Sequence, residues 1–334
     1  MTADPSTEKT AAVGIVGGSG YTGAVLAELL LRHPSVRLAC ISSEQLAGQS
    51  VHAHLPRLRT DLAFCTHAEV GKVDIAFVCT PHGQAASIVK RLLEDGVRVI
   101  DLSADFRLAA DLYEQWYAPH PHPELTPGVY GLTELRRDAV AKAQLVANPG
   151  CYPTAALLAL TPLLPLGLLD VIIDAKSGVS GAGKVPTSRT HFCAIDSDLM
   201  AYGIATHRHQ PEISQGLDPE TTLTFVPHLV PLQRGISETM YVKPGTLPLP
   251  SAAELKGLYD DFYAGETFVE VCDAPPQLKD VAGTNYCRVF PHVDVRPGRI
   301  VVMSVIDNLM KGASGQAVQN MNVMLGLPEH EGLV

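Results

Sequence analysis

Residues Val146 to Thr154 read V-A-N-P-G-C-Y-P-T. An uncharged run ends at Asn148-Pro149-Gly150, Cys151 follows, and Thr154 to Leu160 has helical character. That order sets a thiol at a strand-to-helix turn, beside the positive end of a helix dipole, where the thiolate is favoured and the pKa is lowered. A thiolate at neutral pH is a nucleophile, so the segment points to covalent catalysis. Cys40, Cys65, Cys79, Cys193, Cys272 and Cys287 lack the glycine and proline in front and the helix behind. They read as small buried hydrophobes. Covalent chemistry at sulfur needs a general acid/base nearby. His207-Arg208-His209-Gln210-Pro211-Glu212-Ile213 is the densest candidate, with two imidazoles, a guanidinium and a carboxylate. His52 with His54 and His120 with His122 form similar pairs, so density does not decide among them.

A second chemistry-bearing segment is Gly17-Gly18-Ser19-Gly20-Tyr21-Thr22-Gly23. It follows the apolar, β-branched run Val13 to Val16 and opens a helical stretch from Ala24 to Leu31. The spacing is G-x-x-G-x-x-G. Glycines there let the backbone approach a pyrophosphate, and helix N-terminal amides hold its charge. The loop and its first helical residues, Gly17, Ser19, Gly20, Tyr21, Thr22 and Gly23, are therefore candidate dinucleotide contacts. The next strand, Val36 to Ile41, ends in Ser42, Ser43 and Glu44. The serines suit a 2′-phosphate and NADP, whereas Glu44 suits a 2′-hydroxyl and NAD. Cys79-Thr80-Pro81-His82-Gly83 closes another strand and offers Pro81 as a lining residue.

A nucleophilic cysteine and a nicotinamide cofactor together imply chemistry at the aldehyde/acid oxidation level. Thiolate attack on an activated acyl group gives a thioester, which accepts a hydride. Two more segments fit this reading. Ser177 to Lys184, S-G-V-S-G-A-G-K, is a small-residue loop that lets substrate or nicotinamide approach backbone amides. It is not a P-loop, because Val185 follows Lys184. Arg107, at the end of D-L-S-A-D-F-R from Asp101, is a candidate for holding a carboxylate or phosphate, with a structural ion pair as its other reading.

The elements that must position these groups alternate. Strands at Val13–Val16, Val36–Ile41, Asp74–Cys79, Val97–Leu102 and Leu145–Ala147 enclose helical stretches, which predicts a parallel, Rossmann-type sheet. After Cys151, runs at 171–177, 222–226, 239–242, 268–271, 287–295 and 299–306 read as strands with few helices between, a mixed or antiparallel sheet. Ala313 to Leu325 reads as a final helix returning to the first domain. The expected division is 1–150 with 308–334 as the dinucleotide-binding domain and 151–307 as an α+β catalytic domain. A length of 334 residues with 46% hydrophobic composition suits two such cores. A net charge of −10 argues against a nucleic-acid partner. Seven scattered cysteines with no C-x-x-C pair indicate a reducing, cytoplasmic setting and no structural zinc. Residues 1–10 lack the basic-then-apolar order of a signal peptide. Prolines break the uncharged run between Lys142 and Asp170, so no membrane span is expected.

Taken with S-G-V-S-G-A-G-K at 177–184, H-R-H-Q-P-E-I at 207–213 and D-N-L-M-K-G-A-S-G-Q-A-V-Q-N-M-N at 307–322, the chain resembles the N-acetyl-γ-glutamyl-phosphate reductases of arginine biosynthesis, from Val13 to Leu325. The resemblance implies the fold shared with aspartate-semialdehyde and glyceraldehyde-phosphate dehydrogenases. It also implies NADPH-dependent reduction of an acyl phosphate by a homodimer or homotetramer, and adds oligomerisation to the role of 151–307. It makes Cys151 the nucleophile and His209 the base, with His207 as the alternative base. It places Arg107, Ser180, Gly181, Lys184, His207 and Glu212 at the substrate, and Gly181 and Asn308 near the cofactor, with no metal. A related reductase acts on carrier-bound α-aminoadipyl phosphate, a substrate whose acidic carrier calls for a basic approach surface. A non-catalytic dinucleotide sensor would lack the nucleophile or the base, and both are present.

Overall fold

The computed structural model describes residues 11–334. It divides into two compact units. One takes the chain up to Pro149 together with Ala313–Val334, and the other is Gly150–Gly312. The return to the first unit thus begins at Ala313 rather than at 308. Local bonds hold the preceding residues in the second unit: Asp307 Oδ2 accepts from the Gly283 amide and Asn308 Oδ1 from the Gly235 amide, each at 2.8 Å.

In the first unit, a seven-stranded sheet has the order β3-β2-β1-β4-β5-β7-β6. Its strands are β1 (Ala11–Val16), β2 (Val36–Ser42), β3 (Phe64–Cys65), β4 (Ile75–Val78), β5 (Arg98–Asp101), β6 (Val129–Tyr130) and β7 (Leu145–Ala147). Every pairing is parallel. Parallel strands are covered on both faces, which explains the unbroken apolar run I-A-F-V of β4, buried at all positions. The helix Ala85–Glu94 turns a stripe of Ala85, Ala86, Val89 and Leu92 onto the sheet. The order reverses between β1 and β4, so their carboxyl ends open the crevice where such sheets bind ligands.

In the second unit the sheet has the order β12-β13-β14-β11-β8-β10-β9. The strands are β8 (Leu168–Gly178), β9 (Met200–Ala201), β10 (Thr222–Val230), β11 (Ile236–Pro244), β12 (Val269–Val271), β13 (Cys287–Asp294) and β14 (Arg299–Ile306). β8 pairs with β10, and β12 with β13, in parallel; the remaining pairs are antiparallel. Burial alternates along β11, the signature of a sheet with one packed face. The helices Cys151–Leu160 and Ala252–Phe262 pack against it. The second of these helices is absent from the sequence-based expectation. It begins with a capping box in which Ser251 and Glu254 satisfy each other's backbone amides. Residues Tyr152 to Leu160 are all buried, so the first helix is apolar on every side.

Candidate active site

Within the first unit, the carboxyl ends of β1, β2 and β4 meet at the glycine loop. Gly17 adopts φ +79°, and a Cβ there would lie 3.0 Å from the Cys79 carbonyl oxygen. Only glycine lets the loop pass this close in this conformation. The Gly18 amide donates to the Ser42 carbonyl at 2.8 Å and the Gly17 amide to Ser42 Oγ at 3.3 Å. Ser43 Oγ donates to Ser19 Oγ at 3.2 Å, joining the end of β2 to the loop. Gly20 caps the helix Tyr21–Arg32, and nothing lies within 4 Å of where its Cβ would stand. The Thr22 carbonyl accepts from Ser314 Oγ at 2.8 Å. Tyr21 and Pro81 are exposed on this unit. Thr80, whose backbone nitrogen lies against Gly17, has a buried Oγ1 with no hydrogen-bond partner. A tight turn, a helix start with open space and an orphaned hydroxyl fit a dinucleotide pyrophosphate. Burial pushes the pKa of the neighbouring Cys79 thiol far up, and the Asp101 charge adds to the shift.

On the same unit Arg107 is buried and works on the backbone. Its Nε donates to the Asn148 carbonyl at 2.8 Å and its Nη2 to the Leu102 carbonyl at 2.9 Å. It ties the end of β5 to the residue that leads into Pro149-Gly150-Cys151. Asp101 beneath it is fully buried. Burial, reinforced by the Asp105 charge, pushes its carboxyl up to about 7 against the hydrogen bonds from Ser103.

In the second unit, Gly150 caps the helix Cys151–Leu160, which makes Cys151 its first residue. The Gly150 amide donates to Glu212 Oε1 at 2.7 Å. Glu212 is 1% exposed, so this bond lies in a low-dielectric setting and fixes the helix start firmly. The His209 ring lies against the same glycine: a Cβ on Gly150 would stand 2.5 Å from His209 Nε2. From the other side, a Cβ on Gly312 would fall 2.7 Å from Cys151 Cβ. The imidazole can lie against residue 150, and residue 312 against the thiol-bearing residue, only because both positions have no side chain.

The two histidines of the H-R-H segment are not equivalent. His207 sits in an aromatic box, with ring centroids 5.5 Å from Tyr152, 5.4 Å from Tyr202 and 5.3 Å from Phe225. Burial drives its pKa down to about 4, and the nearby Arg208 charge adds to the effect. At neutral pH it is uncharged. Its Nδ1 accepts the His209 amide at 3.1 Å, which assigns the ring proton to Nε2. Tyr152 and Tyr202 join hydroxyls at 3.0 Å, and burial raises the Tyr202 phenol to about 12. The box was missed from sequence because its members are scattered from Tyr152 to Phe225. Ser180 Oγ accepts from Asn308 Nδ2 at 3.0 Å, and a Cβ on Gly181 would sit 3.0 Å from Ser177 Oγ. Lys184 stands exposed at the end of that loop.

Residues 12–143 match the family model of the semialdehyde dehydrogenase NAD-binding domain, and residues 151–308 match the semialdehyde dehydrogenase dimerisation domain. The fold matches the crystal structure of aspartate semialdehyde dehydrogenase II from Vibrio cholerae with a TM-score of 0.75 at 21% identity, covering 96% of this chain and 99% of that one. Fold and site together define an oxidoreductase of the semialdehyde dehydrogenase type. Two curated relatives are more similar in sequence. N-acetyl-gamma-glutamyl-phosphate reductase of Dehalococcoides mccartyi is 49% identical over 96% of both chains. The enzyme of the same name from Geobacter sulfurreducens is 49% identical over 96% of this chain and 97% of its own. The chain belongs to the N-acetyl-gamma-glutamyl-phosphate reductase family. Among the described residues, no helix is long and apolar enough to cross a membrane, and no group of three or more His, Cys, Asp and Glu side chains is placed to hold a metal.

Proposed function

We propose that this protein reduces N-acetyl-L-glutamyl 5-phosphate to N-acetyl-L-glutamate 5-semialdehyde with NADPH, releasing phosphate through a thioester on Cys151, as a step of arginine biosynthesis. The observation that carries the reading is the His209 imidazole against Gly150, immediately before the thiol at the helix start. Cys151 Sγ attacks the acyl carbon, the bond to the phosphate oxygen breaks and phosphate leaves. A nicotinamide cofactor, when bound, would supply the hydride that takes the thioester to the aldehyde level. His209 gives a proton to the resulting oxyanion and takes it back as the thiohemiacetal collapses, which restores the thiolate. Neutral His207 orients His209 through its backbone amide, and Glu212 holds the helix start. Ser180, Gly181 and Lys184 form the substrate side. Arg107 contributes through the Asn148 backbone it supports.

The region 151–308 builds a homodimer or homotetramer, and the seven cysteines, none in a disulfide, suit the cytoplasm. The reverse reaction tests the reading: N-acetylglutamate semialdehyde with phosphate, followed with NADP and with NAD separately. Phosphate-dependent NADPH formation is expected. NADH formation alone would overturn the cofactor assignment. Silence with both cofactors would move the substrate to a carrier-bound acyl phosphate.

A further inference from the structure

The adenosine end of the dinucleotide site holds a side chain that the reading above leaves unused. No lysine or arginine occurs from Cys40 to Ser50, the stretch that closes β2 and faces the ribose in such folds. The polar side chains gathered there are Ser19, Ser42, Ser43, Glu44 and His67. Ser42 is fully buried; its Oγ accepts from the Gly17 amide at 3.3 Å and lies 2.8 Å from His67 Nδ1. Glu44 is turned onto the chain after β3: its Oε1 accepts the His67 amide at 2.6 Å and stands 3.6 Å from His67 Nδ1. The Arg91 guanidinium donates to the carbonyls of His67 and Val70 and bonds Asp95. It is spent on the fold.

We propose that His67 reads the 2′ position of the adenosine ribose, supplying with Ser19 and Ser43 the donors and positive charge that a 2′-phosphate needs, while Glu44 is held on the His67 amide away from the ribose hydroxyls. The inference rests on the dinucleotide reading and names the residue that selects NADPH over NADH where residues 40–50 carry no arginine. The His67 side chain is 22% exposed, so a ligand reaches it. Burial holds its pKa down against the pull of Glu44, so the resting ring is mostly neutral. A dianionic phosphate beside it favours the imidazolium, and each such charge-assisted bond is about twice as strong as a neutral one.

The test is equilibrium binding to the full-length protein, read without turnover. NADPH and NADH are titrated by nicotinamide fluorescence, and adenosine 2′,5′-bisphosphate and adenosine 5′-phosphate by calorimetry. His67→Asn is expected to weaken NADPH and the bisphosphate by about tenfold, with NADH and adenosine 5′-phosphate unchanged. Unchanged NADH binding also reports an intact fold. Glu44→Gln is expected to leave NADH within about twofold of the parent. Equal losses for both members of each pair in His67→Asn, or no loss, would overturn the role of His67 and leave the dinucleotide reading standing. A tenfold loss of NADH in Glu44→Gln would overturn it too, because Glu44 would then hold the ribose diol. If the parent binds neither nicotinamide nucleotide, the dinucleotide reading falls and this inference with it.

Discussion

The glycine-loop edge of the first unit and the thiol site of the second are built from different materials. At the loop, main-chain amides, carbonyls and serine hydroxyls at strand ends make the contacts, and side chains are mostly small. At the thiol, buried side chains from distant segments do the positioning: Glu212 on the Gly150 amide, an aromatic box around neutral His207, and His209 against Gly150. A phosphate-binding edge needs amides at fixed spacing, which backbone geometry supplies. A nucleophile with its acid/base needs rings and carboxylates whose charge states are set by burial. The first kind of site is set by backbone conformation at its glycines, the second by the identity and burial of its side chains.

The largest test of that difference is Cys151→Ser. It should cut kcat by about 10⁴-fold or more, because a serine alkoxide is far harder to form than a thiolate. NADPH affinity, measured by fluorescence titration, should stay near the parent value. His209→Asn comes next, with an expected loss of about 10²–10⁴ in kcat. His207→Asn should cost less, since His207 acts through its neighbour. A larger loss at His207 than at His209 would exchange their roles. Gly17→Val inverts the pattern: its Cβ would meet the Cys79 carbonyl in a left-handed backbone, so cofactor affinity should fall by about tenfold or more. Alkylation of Cys151 by iodoacetamide should keep its rate in that variant.

The smallest expected effect lies in the second sheet and is read as stability. Glu238, on β11, is fully buried with no hydrogen bond to either carboxylate oxygen, and burial pushes its pKa well above the carboxylate range. A carboxyl whose pKa rises on folding contributes fully below its unfolded pKa, and the contribution is lost as pH climbs towards the folded value. The Tm should therefore decline with rising pH above the ordinary glutamate range, and Glu238→Gln should flatten that slope in calorimetric scans between pH 5 and 8. An equal slope in both proteins would place the pH dependence elsewhere.

What could be read in the sequence follows the same division. Cys151 and the glycine loop are legible because their meaning is local: a turn residue, a strand before it and a helix after it. The alternating strands of the first unit are legible because parallel strands are apolar runs. β3, β6 and β9 are not, since two residues each carry no periodicity. The helix Ala252–Phe262 carried a readable signal in Ser251-x-x-Glu254. At the sites, the neutral charge of His207 depends on Tyr152, Tyr202 and Phe225, and the bond of Glu212 depends on Gly150, 62 residues away. Arg107 reads in sequence as an anion ligand or an ion-pair partner, and its bonds from Nε and Nη2 to the Asn148 and Leu102 carbonyls are contacts that only tertiary structure reveals.

The central claim is acyl transfer to Cys151, and the most direct measurement is phosphate release without cofactor. Enzyme mixed rapidly with N-acetylglutamyl phosphate in the absence of NADPH should release a burst of one phosphate per active site. Mass spectrometry should then find the acyl group on the peptide bearing Cys151. Release that waits for NADPH, or an acyl group on any other residue, would contradict the account.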